Sequence, residues 1–273
     1  MLRTMIYVGV YIGWGISIYK RVIQKSVRNV LIFIAELIIF WFVVRTTKYF
    51  FTMDNQIARY LWYSYYIPML FIPVAVLQAA FFLGKSEEYR LPKWLKGVYI
   101  PTAVLVLLVL SNDLHQLVFS FPVGSAWSDS NYTYGWGYYV VLVWEVVSAL
   151  TAFVLMIYKC RHSQKKKYLP LFGIGAAVLY AVLFISGVAW VQEIGGDITA
   201  VLCLLFVGIL ESCVRCGLIQ TNTGYDQLFE VCTLGAQITD QNYNVCYASA
   251  NAMPLSKKMM KDAVEKDVVI DKK

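Results

Sequence analysis

Three glutamates stand inside long apolar stretches of this chain: Glu36, Glu145 and Glu211. An ionisable side chain at bilayer depth is costly, so each is by default a functional candidate. No cation stands at an obvious matching depth for any of the three. Counted from the inner end, Glu36 has a depth similar to that of Gln78 on the next apolar run, and a Glu36–Gln78 hydrogen bond is one arrangement. Gln78 is thereby a candidate intramembrane polar residue, and for Glu36 and Glu145 two readings compete. One is a neutral acid hydrogen-bonded between helices; the other is a group that senses a proton or a ligand. Glu211 lies near the inner end of its run and reads as interfacial and structural.

Other reactive residues carry less. Cys213 and Cys216 form a C-x-x-C, but one pair with no second pair or neighbouring His does not make a zinc site. The six cysteines fall in no segment placed outside the membrane and read as reduced thiols, not as a secreted disulfide framework. His115 alone is a poor metal ligand, and His162 in RHSQKKK faces the headgroups. No lysine occurs in the last apolar run, so a Schiff base there is unsupported. No metal site and no cofactor is expected. The segment SNDLHQLVFSFPVGSAWSDSNYTYGWG, residues 111–137, is rich in Trp and Tyr. Its candidate ligand contacts are Asn112, His115, Trp127, Tyr134 and Trp136. An interfacial aromatic belt, which Tyr132 would join, is the commoner use of such residues.

The elements that hold these residues follow from composition. The chain has 273 residues, 59% hydrophobic and 15% charged, against about 25% charged in an average soluble domain. Seven apolar runs, about 4–19, 29–46, 60–83, 95–111, 137–158, 168–190 and 198–215, have the length of bilayer-crossing helices. The expected fold is an all-α membrane protein, a bundle of seven transmembrane helices with a short α+β cytosolic tail. The first run is no signal peptide, because Lys20, Arg21, Lys25 and Arg28 follow it instead of preceding it. Pro68 and Pro73 bend the third run, either as a packing kink or as a hinge.

The net charge of +7 sits between the runs, the pattern set by membrane insertion, so nucleic acid is not an expected partner. Lys20, Arg21, Lys25, Arg28, Lys85, Arg90, Lys93, Lys96, Lys159, Arg161, Lys165, Lys166 and Lys167 fall on one side. Only Arg3, Arg45, Lys48 and Arg59 fall on the other. The positive-inside rule then places the N-terminus outside and the C-terminus in the cytoplasm of a multi-pass membrane protein.

After residue 217 the polarity rises. Residues 218–230 read as a linker ending in a helix. Then GAQITD, a QNYN turn and VCYASA read as a hairpin, followed by a short helix and a strand, VVID. About 45 residues are too few for a well-buried core. The tail is expected to fold against a partner or to continue past Lys273, a cut inside a domain being the simpler account.

The order of these features resembles the N-terminal seven-transmembrane region of bacterial sensor histidine kinases. TNPLHHLF-like loops after the fourth span in that family resemble SNDLHQLVF here, keeping Asn112, Leu114 and His115, with Asp113 and Gln116 replacing the family's Pro and second His. A YGxxFW-like entry to the fifth span resembles YGWGYYV, at Tyr134, Gly135 and Tyr138 or Tyr139. The tail, residues 231–273, resembles the opening of a PAS domain. LGAQITDQNYNVCYASANA aligns with a DGVIVLDENGRIVDINPAA-like hairpin, Asp240 before the turn and Asn251 and Ala252 at its end.

The resemblance implies a signal-input module, residues 1–217, of a two-component-type sensor. It also implies an unknown small ligand or membrane stimulus and a homodimer formed through the cytosolic portion. No phosphoacceptor-His motif or ATP-binding box is present, so no catalytic residues are expected; His162, followed by Ser163, does not fit that role. A small transporter or channel with Glu36 and Glu145 along its pathway is the rival reading. The absence of matching interrupted helices in two halves weakens it. A membrane enzyme of lipid metabolism ranks last, for lack of a His and acidic cluster.

Overall fold

The computed structural model describes residues 2–50, 55–83, 85, 89–122, 131–159, 168–195, 198–215, 219, 221, 234–239, 242–249 and 251–265. The chain divides into two compact units, Met1–Gln220 and Thr221–Lys273.

The first unit is mainly helical over the predicted runs. In chain order it contains α1 (Leu2–Arg21), α2 (Lys25–Phe50), α3 (Asn55–Tyr63), α4 (Tyr66–Phe82), α5 (Lys93–Gly97) and α6 (Tyr99–Leu110). Then come α7 (Asn112–His115), α8 (Trp136–Lys159), α9 (Tyr168–Ile185), α10 (Ala189–Gly195) and α11 (Ile198–Arg215). Among the described residues four stretches are long and apolar enough to cross a bilayer: Lys25–Tyr49, Gln56–Phe82, Lys93–Leu110 and Trp136–Lys159. Pro170–Phe184 is a shorter apolar helix.

Three runs expected as single helices are interrupted, and the sequence explains each break. A proline ring clashes with the carbonyl four residues back. Pro68 therefore disfavours regular helix at Ser64, where α3 gives way to α4, and Pro101 does the same at Gly97, where α5 gives way to α6. Pro73 stays within α4. The run 168–190 ends at a turn through Gly187, whose φ of +76° suits a residue without Cβ; α10 follows as a separate helix.

Helix α4 lies at the centre, packed against α2, α6 and α8, while α1 packs on α2 and α9 on α11. Tyr11, Ile34, Ile38, Phe42, Met156 and Leu210 are fully buried in the larger core. The α9–α11 contact is close: a Cβ on Gly173 would lie 2.9 Å from Ile209 Cγ1. Outward faces are apolar as well. Ile100, Val104 and Leu107 on α6, and Val143, Val147, Leu150 and Val154 on α8, are exposed. Helices apolar on both faces are those of a lipid-embedded bundle, not of a surface helix in water.

At one end of this unit, β1 (Phe119–Ser120) pairs antiparallel with β2 (Thr133–Tyr134), Phe119 opposite Tyr134. Gly135 N donates to Val118 O at 2.9 Å and Gly137 N to Leu117 O at 3.0 Å. The chain passes so close here that a Cβ on Gly135 would lie 2.1 Å from Leu117 O.

In the second unit β3 (Gln237–Thr239) pairs antiparallel with β4 (Val245–Ala248), with Ile238 opposite Tyr247 and a register irregularity after Ile238. The hairpin anticipated from GAQITD and VCYASA is present. Its base is tied by Ser249: Ala236 N donates to Ser249 Oγ at 3.0 Å, and that hydroxyl donates to Leu234 O at 2.7 Å. Tyr243, with φ 59°, turns the chain between the strands. Helix α12 (Lys257–Glu265) follows. Asp240, the VVID strand and all of the expected 218–230 linker except Ile219 and Thr221 lie outside the described residues.

Gly135→Ala is expected to destabilise the first unit by about 3 kcal/mol, the upper range for forced overpacking. A thermal or denaturant unfolding curve in detergent measures this, with Gly9→Ala, where nothing lies within 4 Å of a Cβ, as the control.

Candidate functional site

The motif SNDLHQLVF builds a closed hydrogen-bonded knot. Asn112 is fully buried. Its Nδ2 donates to Phe119 O at 2.8 Å and to Tyr63 Oη at 3.2 Å. Its Oδ1 accepts Val118 N and Phe119 N, both at 3.0 Å. Two donors and two acceptor sites are the full capacity of an amide. Tyr63 Oη donates in turn to Asp113 Oδ1 at 2.7 Å, and Arg59 pairs with Asp113 at 2.8 Å. Thus Asp113, which departs from the resembled motif, has its own ion-pair partner. His115 Nδ1 accepts Leu117 N at 3.0 Å. That leaves the Nε2 hydrogen of the neutral ring for Leu108 O at 3.1 Å, with Ser111 Oγ at 3.2 Å. Gln116, in the left-handed region at φ 50°, ends α7.

Around this knot the rings pack on Phe119: Trp62 at 4.6 Å, Tyr132 at 5.3 Å and Tyr66 at 5.6 Å between centroids. Tyr134 stacks on Tyr138 at 4.0 Å. Of the five outer-loop candidates, Asn112 and His115 are engaged internally. Tyr134 and Trp136 are exposed, and Trp127 lies outside the described residues.

The glutamates have three different settings. Glu36 is exposed on α2, on one outward stripe with Phe33, Phe40 and Val43. The Glu36–Gln78 hydrogen bond is not made: Gln78 Oε1 instead accepts from Tyr99 Oη. Helical phase puts Glu36 on the exposed face of α2. Glu211 does have a cation, contrary to the expectation from depth. Arg21 holds it through two bonds of 2.8 Å, with Trp14 Nε1 at 3.3 Å and Arg215 Nε at 3.1 Å. The fork-to-fork geometry is the strong form of this pair. Arg21 was legible only as one of the positive residues in the last turn of α1.

Glu145 sits on the wall of a cavity of about 300 Å³. Five helices form it: Trp41 comes from α2, Met69, Ile72 and Pro73 from α4, and Ala149 and Phe153 from α8. Ile174 and Ala177 come from α9, Cys203 and Phe206 from α11. Glu145 is the one acidic residue in that lining. Glu36 is not part of it, so the structure does not bring the two candidate pathway acids together.

Sequence reading missed a second feature, the closing of the α4 C-terminus. Gln24 Nε2 donates to Phe82 O at 2.9 Å and to Lys85 O at 3.1 Å. Lys159 Nζ donates to Ala80 O at 2.8 Å and Phe81 O at 2.9 Å. Terminal carbonyls of a helix lack intrahelical partners, and a cation there also suits the helix dipole. Gln24 carried no signal in the sequence, and Lys159 carried only a charge.

A double-mutant cycle on Arg21→Met and Glu211→Leu is expected to give a coupling of about 1–3 kcal/mol in bundle stability. The single changes are each expected to be worse than the double, because they strand one charge. Glu36→Leu is expected to leave stability equal or higher, since it removes a carboxyl from an apolar outward face. A destabilised Glu36→Leu variant in detergent unfolding would show that another surface covers this residue.

No curated protein and no solved structure matches this chain. A family model, described as the N-terminal 7TM region of histidine kinase, matches residues 2–214. That range takes in the knot, the cavity and the Arg21–Glu211 clamp, and it ends at the last turn of α11. With four helices suited to crossing a bilayer, it makes this a multi-pass membrane protein. The chain belongs to the family of histidine-kinase N-terminal 7TM regions.

Proposed function

We propose that the chain is the membrane-embedded input module of a two-component-type sensor, relaying a stimulus from the helix bundle to a cytosolic output. The observation that carries this reading is the family match over residues 2–214. In the proposed topology seven spans cross the membrane, the N-terminus is outside, and Thr221–Lys273 is cytoplasmic. The distribution of Lys and Arg supports that orientation. The β3–β4 hairpin supports a PAS-like reading of the tail, and a homodimer through the cytosolic portion accompanies it.

Helix α11 is the covalent route between the units, and its inner end is where Arg21 and Arg215 grip Glu211. A stimulus that favours one arrangement of the bundle would act through this clamp, by differential affinity for two states.

Amide hydrogen exchange tests the relay. Arg21→Met is expected to change exchange rates over 234–265 in the full chain in nanodiscs, while proteoliposomes show no saturable solute uptake. Saturable uptake together with unchanged exchange in that segment would overturn the sensor reading in favour of transport.

A further inference from the structure

We propose that the five-helix cavity binds a membrane-soluble aryl alcohol, a flat apolar body carrying one hydroxyl that hydrogen-bonds to the Glu145 carboxyl. The claim deepens the sensor reading by naming a ligand class, and the binding itself is tested apart from signalling.

The starting point is a deficit. Among the described residues Glu145 has no hydrogen-bond or ion-pair partner, whereas Glu211 has three. A polar group removed from water without a partner costs free energy unless something else supplies the bond. Trp41, on the same wall, has an Nε1 that is buried and also without a partner. Two polar groups without partners in the lining of one cavity point to an occupant that satisfies at least Glu145.

The lining selects among occupants. A water molecule needs about two to four polar partners to be held in a cavity, and beyond Glu145 the wall is almost wholly hydrocarbon and aromatic. A hard cation needs about six oxygen ligands, and one carboxyl does not supply them. A lipid acyl chain fills apolar space but leaves Glu145 unpaired. An aryl alcohol satisfies both features. Its rings pack against Trp41, Phe153 and Phe206 in edge or offset contacts and against the Met69 sulfur, and its hydroxyl meets the carboxyl. The volume of about 300 Å³ lies at the small end of ligand pockets, the size for one or two rings. Because α2, α4, α8, α9 and α11 all contribute, occupancy adds contacts between the central helices and the helix that leads out of the bundle.

The probe is 2-naphthol, with naphthalene as the analogue lacking the hydroxyl. Equilibrium dialysis measures binding to the full chain in phosphatidylcholine nanodiscs, with empty nanodiscs subtracted. Saturable 2-naphthol binding is expected. Glu145→Leu weakens it by about tenfold or more, the worth of one hydrogen bond to a carboxyl, and leaves naphthalene binding unchanged, which also shows that the variant is folded. Glu145→Gln, which keeps a hydrogen-bonding head, retains most of the 2-naphthol affinity. Ala149→Phe fills the cavity and removes binding of both compounds.

The absence of saturable binding above empty nanodiscs overturns the proposal. So does a Glu145→Leu variant that binds 2-naphthol as well as the wild type, because the cavity then acts only as apolar space. Binding as expected with no change in hydrogen exchange over 234–265 leaves the site standing and counts against the sensor reading instead.

Discussion

Within a bilayer no water is at hand for a backbone carbonyl, so a helix that stops or bends must find its partners inside the protein. The central helix α4 is where this constraint presses hardest. It begins beside Pro68, contains Pro73 and ends in carbonyls that its own turn cannot satisfy. Gln24 from the α1–α2 turn and Lys159 from the end of α8 supply the missing donors. Those two side chains, with two hydrogen bonds each, join α1, α2, α4 and α8. The bundle therefore does not depend on hydrophobic packing alone, which between helices in lipid gives little drive for association.

The same accounting sorts the glutamates. Depth in the membrane is a one-dimensional quantity that the sequence supplies directly; it sets Glu211 near the end of its run but gives none of Glu36, Glu145 and Glu211 a visible partner. What separates them is direction around the helix axis. Glu211 faces α1 and meets Arg21; Glu145 faces the cavity shared by five helices; Glu36 faces outward from α2. One type of residue thus serves as a clamp, a lining group and a surface group, with helical phase as the deciding variable.

This marks how far the sequence reaches. The helical runs were legible because an apolar stretch of bilayer length admits few other structures, and the β3–β4 hairpin because β-favouring runs flanked a polar turn. The breaks at Ser64 and Gly97 were written in the prolines four residues on, but the apolar pattern runs through them and hides them. The Asn112 knot was legible only as a motif. Nothing in SNDLHQLVF says that one amide will bind the nitrogens of Val118 and Phe119, a carbonyl and a tyrosine, because Tyr63 approaches through the fold. Pairings across separate helices, such as Arg21 with Glu211 and Tyr99 with Gln78, needed helix phase as well as depth.

The knot and the cavity are linked through α8. Asn112 fixes the start of β1, β1 holds β2, and β2 runs through Gly135 straight into α8 at Trp136. Gly137 N bonded to Leu117 O sets the first turn of that helix. Nine residues into it, Trp144 Nε1 donates to the buried Thr102 Oγ1 at 3.1 Å, which fixes the rotation of α8 against α6. Glu145 is the next residue, so its direction follows from that rotation, at about 100° per residue in a helix of 3.6 residues per turn. The residues that looked like ligand contacts on the outer side, Asn112 and His115, thus bear on the intramembrane carboxyl by setting the helix that carries it. A polar motif in a loop and an acid on a helix suited to crossing a bilayer, unrelated in the sequence pattern, are thus tied together through the placement of α8.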